Sequence, residues 1–281
     1  MGDRVLVSVN DGVADVRLNR PDKLNALDPA TFAALVEAGE SLKTQPSVRA
    51  VVLSGEGRAF CSGLDFSAFQ AMAGDVDETR ADRADGAGGG TASLMETDGR
   101  FTHLGQQAAW VWRELPVPVI AAISGACLGG GLQIALGADL RIVAADAKLS
   151  VLEIRWGLIP DMTGTWILPR LVGPDVAKEL TWTGRMVSGE EAVRMGLATR
   201  VANDPRAAAF ELAAELASRS PVAIRHGKRL LDRSTSDDRT VAEQFLDERQ
   251  TMASLIGAAD NVEAVTAYFE KREPVFPDVA E

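Results

Sequence analysis

Histidine, tyrosine and cysteine are almost missing from this chain: two, one and two respectively in 281 residues. With only His103 and His226, a histidine-based triad is hard to assemble, and each is expected to be an ordinary helix residue. Cys61 and Cys127 do not make a disulfide framework and lack the spacing of a metal site, so no metal is expected and a reducing cytoplasm is the natural compartment. GxxxxGK(S/T), HExxH, GxSxG and a true GxGxxG are all absent, which removes the common phosphate-loop, zinc-protease, serine-hydrolase and dinucleotide readings. No run of about 18 apolar residues suggests a membrane span. The start, MGDRVLVSVNDGVADVRL, reads as neither a signal nor a transit peptide. Positive charge is also scarce: the formal net charge is −11, which argues against nucleic acid or an anionic membrane as partner.

What is present has the balance of a globular protein, 46% hydrophobic and 25% charged. Residues 5–10 and 13–19 alternate around Asp11-Gly12 and predict a β-hairpin. Asp28 and Pro29 predict the cap and first turn of a helix over DPATFAALVEAGESLK. AVVLSG (50–55), VPVIAAIS (117–124), ADLRIVAA and KLSVLE predict strands, and 101–115 a helix. The stretch 73–90, acidic and Gly-rich, is expected to be a surface insertion. SGEEAVRMG predicts a short helix with Ser188 and Glu191 as a capping box and Gly196 as its stop. Segments 206–219, 221–233, 238–256 and 260–272 predict helices. The fold class is thus α/β, with a core over 1–200 and a helical region over 201–281 whose apolar positions need something to pack on.

Two glycine turns and two acids are the candidates for chemistry. GRAFCSGLDF and GACLGGG both follow buried strands; a triple glycine at a helix start offers unpaired N–H groups to an oxyanion, or simply permits tight strand-to-helix packing. Glu153 and Asp161 stand in VLEIRWGLIPDM among Leu152, Ile154, Trp156, Leu158 and Ile159, residues a chain is expected to bury.

Taken together, RPDKLNAL, AFCSGLDF, GACLGGGLQIALGADLRI, EIRWGLIPDMTGTWILPRLVG and AYFEKREPVF resemble, in order and spacing, the enoyl-CoA hydratase/isomerase (crotonase) family over about Leu18 to Phe276. The resemblance implies a spiral of ββα turns, a C-terminal helical trimerisation region in a homotrimer or homohexamer, and an acyl-CoA thioester as substrate, with no cofactor beyond that coenzyme A. It implies an oxyanion hole of the Leu64 and Gly130 amides. It also implies coenzyme A contacts by Lys23, Leu24, Ser62 and Asp65, and by Tyr268 and Lys271, the last reaching a neighbouring subunit's ligand. Family hydratases hold water between two glutamates; Glu153 matches the second, whereas Gln133 replaces the first and can orient a water or substrate but not take its proton. Asp161 is similar to the dienoyl-CoA isomerase branch, as are AFCSGLDF and the insertion. Trp166 stands where many relatives have Gln. The resemblance therefore implies double-bond isomerisation of an enoyl- or dienoyl-CoA with Glu153 and Asp161 as proton-transfer groups; the alternatives are an enoyl-CoA hydratase, a thioester hydrolase or C–C lyase, and a catalytically silent acyl-CoA-binding subunit.

Overall fold

A computed structural model describes residues 3–65, 67, 95–97, 99–235 and 239–279, so the 73–90 insertion lies outside the described residues. The hairpin forms as expected, β1 (Val5–Asn10) antiparallel to β2 (Val13–Leu18), with Asp11 and Gly12 both at positive φ in the turn. Helix α1 (Pro29–Lys43) starts where Asp28 accepts from the Thr31 amide at 2.8 Å. β3 (Ala50–Gly55) follows, then α2 (Leu104–Glu114), β4 (Val119–Ile123), β5 (Ala126–Leu128), α3 (Gly130–Leu136), β6 (Leu140–Val143) and β7 (Lys148–Ser150). A 3-10 turn, Glu153–Trp156, leads to α4 (Gly164–Val172), α5 (Pro174–Thr183), β8 (Val187–Ser188), α6 (Gly189–Arg194) and β9 (Arg200–Val201). Four helices close the chain: α7 (Pro205–Ala217), α8 (Pro221–Ser234), α9 (Val241–Leu255) and α10 (Ala259–Glu270).

The topology is a spiral. One sheet runs β1-β2-β3-β4-β6-β9, parallel from β2 onward; the other runs β5-β7-β8. The chain passes from β4 to β5 and from β6 to β7, so each of these turns leaves one strand in each sheet before its helix. The first turn contributes only an isolated bridge, Cys61 to Cys127. This is the spiral of ββα turns that the resemblance implies.

Alternation within each strand sorts the core into two faces. Val51 and Leu53 point into the main cluster with Trp112, Leu132 and Ile134, while Ala50 and Val52 point to the other face, against Ala209 and Ala213 of α7. Helix α7 lies beyond residue 200 and yet covers the sheet. Beyond it the helices leave Phe245, Met252, Ile256, Tyr268 and Phe269 exposed, the unpacked apolar positions that the composition of this region predicts.

Several local expectations need correction. The helix expected over 101–115 begins at Leu104 because His103 is its cap, not a helix residue: its Nδ1 accepts from the Gly105 amide at 3.1 Å, and the Gln106 side chain accepts from the His103 amide. The strand expected over KLSVLE ends at Ser150, and Glu153 opens a 3-10 turn. Ser188 caps α6, but Glu191 does not complete a box, since its carboxylate pairs with Arg185 at 2.7 Å. Ile154, Trp156, Leu158 and Ile159 are exposed in the single chain, not buried.

Candidate active site

The first wall is built by a polar knot. Asn25, fully buried and in the left-handed region that asparagine tolerates, accepts from the Arg20 amide. Its Nδ2 donates to the carbonyls of Glu56 (3.0 Å) and Ala59 (2.8 Å). This clamps the Arg20–Leu27 loop onto the chain leaving β3. Leu27 then pairs with Leu64 as an isolated parallel bridge: the Leu27 amide donates to Gly63 and the Asp65 amide to Leu27. In a parallel bridge the opposed residue turns its own N–H away from its partner, so the Leu64 amide faces the open side. Gly63 makes this possible, at φ +93° with the Leu128 carbonyl oxygen 3.0 Å from where a β-carbon would stand.

The second wall is the start of α3. Gly129, at φ +52°, caps the helix without a side chain, and its amide donates to Ser150. Gly130 is the first helical residue, whose N–H has no partner within its own helix. Gly131 packs against Cys61, with room for nothing larger: a β-carbon would meet Cys61 Cβ at 2.6 Å. Gly63, Leu64, Gly129 and Gly130 together line a cavity of about 190 Å³, closed by Ser62, Leu152, Glu153, Trp156 and Leu158.

Glu153 is the acid on this cavity. Its Oε1 accepts from Gln133 Nε2 at 2.6 Å, while Oε2 is buried and has no hydrogen-bond partner among the described residues. Burial raises its carboxyl above the usual range; its own backbone amide and the hydrogen bond from Gln133 oppose this, and the negative charge of Asp161 adds to the rise. Gln133 is buried, and its own carbonyl accepts from the Met162 and Gly164 amides at 2.8 and 3.0 Å.

The structure thus brings together Leu64, Gly130, Ser62 and Glu153, with Gln133 directly behind the acid. Lys23 and Leu24 are adjacent, since the Ser62 amide donates to the Leu24 carbonyl at 2.9 Å and Ser62 Oγ to the Lys23 carbonyl at 3.4 Å. Asp161 is exposed and off the cavity wall, acting on Glu153 through its charge. Asp65 turns inward: Arg20 holds it at 2.8 Å and Ser67 donates to it, so its carboxyl is lowered to about 2. Tyr268 and Lys271 lie exposed at the end of α10, away from the cavity wall in this chain. Trp166 is covered by the Arg170 guanidinium, 3.2 Å from its ring centroid, and is also off that wall. Cys61 and Cys127 are buried free thiols; desolvation pushes Cys61 up to about 12 and Cys127 well above the ordinary value, so neither is a nucleophile at neutral pH.

Sequence reasoning missed Arg20, Asn25 and Met162 as organisers of the site. Asn25 carried a signal, an asparagine inside a turn-rich RPDKLNAL, but its acceptors lie about thirty residues away. Among the described residues no cluster of three or more metal-ligating side chains occurs, and no helix is long and apolar enough to cross a membrane.

A model of the enoyl-CoA hydratase/isomerase family matches residues 13–277. Enoyl-CoA hydratase domain-containing protein 2, mitochondrial, of Mus musculus is 34% identical over 280 residues, covering 97% of this chain and 87% of that protein. The Delta(3,5)-Delta(2,4)-dienoyl-CoA isomerase, mitochondrial, of Mus musculus is 34% identical over 273 residues, covering 95% and 80%. The crystal structure of an enoyl-CoA hydratase from Bacillus anthracis superposes with a TM-score of 0.82 at 30% identity, covering 97% of this chain and 98% of that one.

Proposed function

The chain belongs to the enoyl-CoA hydratase/isomerase family, and on that premise we propose that it isomerises the double bonds of an enoyl- or dienoyl-CoA. The thioester oxygen accepts from the Leu64 and Gly130 amides. Glu153 Oε2 removes a proton from the acyl chain, the charge passes to the thioester oxygen as an enolate, and a proton returns further along the chain. Each amide donor would lower the barrier by about 2.7–4 kcal/mol, as in comparable oxyanion sites. Leu152, Trp156 and Leu158 give the acyl chain an apolar wall. Lys23, beside Ser62, is a cation that suits the coenzyme's phosphates, with Tyr268 and Lys271 contributing from a second copy. The exposed apolar side chains of α9 and α10 support such an assembly, a trimer or a pair of trimers. No metal or redox cofactor enters this scheme, and the unpaired Cys61 and Cys127 suit a reducing cytoplasm.

One observation carries the choice of isomerisation over hydration. Gln133 stands where a second carboxylate would be, and its carbonyl is already occupied by two backbone amides, which leaves it no acceptor for a nucleophilic water. Asp161, whose charge reaches Glu153, is the candidate for the second proton site. The test is to supply trans-2-enoyl-CoA and 3,5-dienoyl-CoA separately and follow the ultraviolet spectrum. Conversion of the diene, slowed by Asp161→Asn, is expected; rapid hydration of the enoyl-CoA with an untouched diene would reverse the assignment.

A further inference from the structure

We propose that Gln133 is a positioning residue: it holds one oxygen of Glu153 and leaves the other as the one oxygen of that carboxylate free for proton transfer. This deepens the reading above and rests on Glu153 being its base. An amide neither takes nor gives up a proton near neutral pH, so its value must lie in what it fixes. The orientation of this amide is determined by its partners. Two backbone N–H groups, those of Met162 and Gly164, converge on Oε1, so the nitrogen is the atom that faces Glu153. The 2.6 Å bond that follows immobilises Glu153 Oε1. Oε2, buried and unbonded, is the oxygen left to meet a substrate.

The same residue ties the parts of the site into one body. Gln133 stands three residues after Gly130 on α3, so one short helix sets both the oxyanion amide and the orientation of the base. Its anchors lie on the turn that follows Asp161, the charged group that acts on Glu153 through space among the described residues. Met162 also packs where a β-carbon on Gly130 would sit, 3.0 Å from its sulfur. A shift of this turn would therefore move Gln133, Glu153 and the Gly130 wall together.

The experiment is a titration of Glu153 by carboxyl-¹³C NMR, its resonance assigned by loss in Glu153→Gln, in wild type, Gln133→Met and Gln133→Glu. It needs no substrate, so its outcome is separate from whether the reaction is isomerisation. Methionine removes the donated hydrogen bond, which favours the ionised form, so the midpoint should rise by about one unit or more. Glutamate still accepts from Met162 and Gly164, which preserves the fold should the methionine variant fail. It donates nothing to an ionised Glu153, and the two carboxyls should titrate as a coupled pair with the upper step higher still. In turnover of a 3,5-dienoyl-CoA, kcat should fall by about tenfold or more in either variant, with KM held within about twofold. A Glu153 midpoint that stays in place in the variant that folds, with only thermal stability changed, would reduce Gln133 to a packing residue and overturn the proposal.

Discussion

The carboxylate of Glu153 lies against the backbone of Gly129: a β-carbon built on that glycine would stand 3.5 Å from Glu153 Oε1. The acid thus sits beside the start of α3, one residue from the amide that would hold a thioester oxygen. A base this close to the oxyanion donor can act on a carbon next to the same carbonyl, and glycine at 129 is what allows the turn, at φ +52°, that starts α3 there.

The pH dependence follows from the raised carboxyl of Glu153. As a base it must be ionised, so kcat/KM should fall about tenfold per pH unit on an acid limb lying above the ordinary glutamate value of 4.5. A group whose folded-state pKa is raised favours the protonated folded form. Its contribution to stability is present below the unfolded value and is lost as pH rises through the folded one. Glu153→Gln should therefore be more stable than wild type in urea at neutral pH, with the gap closing as pH falls below 4.5. An acid limb at or under 4.5 would contradict this.

Asp65 predicts the opposite slope. Its carboxyl is lowered to about 2 by Ser67 and Arg20, so the stability it contributes is present above 3.8 and lost as pH falls toward 2. Asp65→Asn should flatten the acid side of the stability curve in that window. It should also weaken activity by loosening the Leu64 loop. A curve superposing on wild type below pH 3.8 would show that the Arg20 pair holds nothing.

Gly131→Ala should unfold at lower urea. The new carbon would meet Cys61 Cβ at 2.6 Å and the Cys61 carbonyl at 2.7 Å, backbone that cannot step aside cheaply. Overpacking of this kind costs about 1–3 kcal/mol, and here it would also push apart the two oxyanion loops. An unchanged midpoint would mean that the loops are less tightly joined than the geometry requires.

Much of the fold was legible because its signals are local. Asp11-Gly12 announces the hairpin, Asp28-Pro29 the first helix, and AVVLSG and VIAAI the buried strands; each acts through neighbours in sequence. The glycine turns and Glu153 were also legible, through their order along the chain. What was hidden depends on distant partners. The carbonyl of Gln133 finds the Met162 and Gly164 amides, so a residue expected to orient water is occupied by backbone. Asp65 looked free to meet a ligand until Arg20 was placed against it. Trp156 and Leu158 look like core by composition, yet they stand exposed because the cavity wall needs apolar surface facing outward. Strands of two residues, Val187–Ser188 and Arg200–Val201, are too short to leave a periodicity.

The central claim is that Glu153 removes a proton from a carbon activated by the Leu64 and Gly130 amides. The direct measurement is solvent deuterium uptake by an acyl-CoA in D₂O, followed by NMR, with wild type and Glu153→Gln at matched concentrations. General acid–base groups typically contribute about 10²–10⁴-fold, so exchange should be rapid in wild type and slower by at least a hundredfold in the variant, whose acyl-CoA affinity should be unchanged. Equal exchange in both proteins would contradict the account.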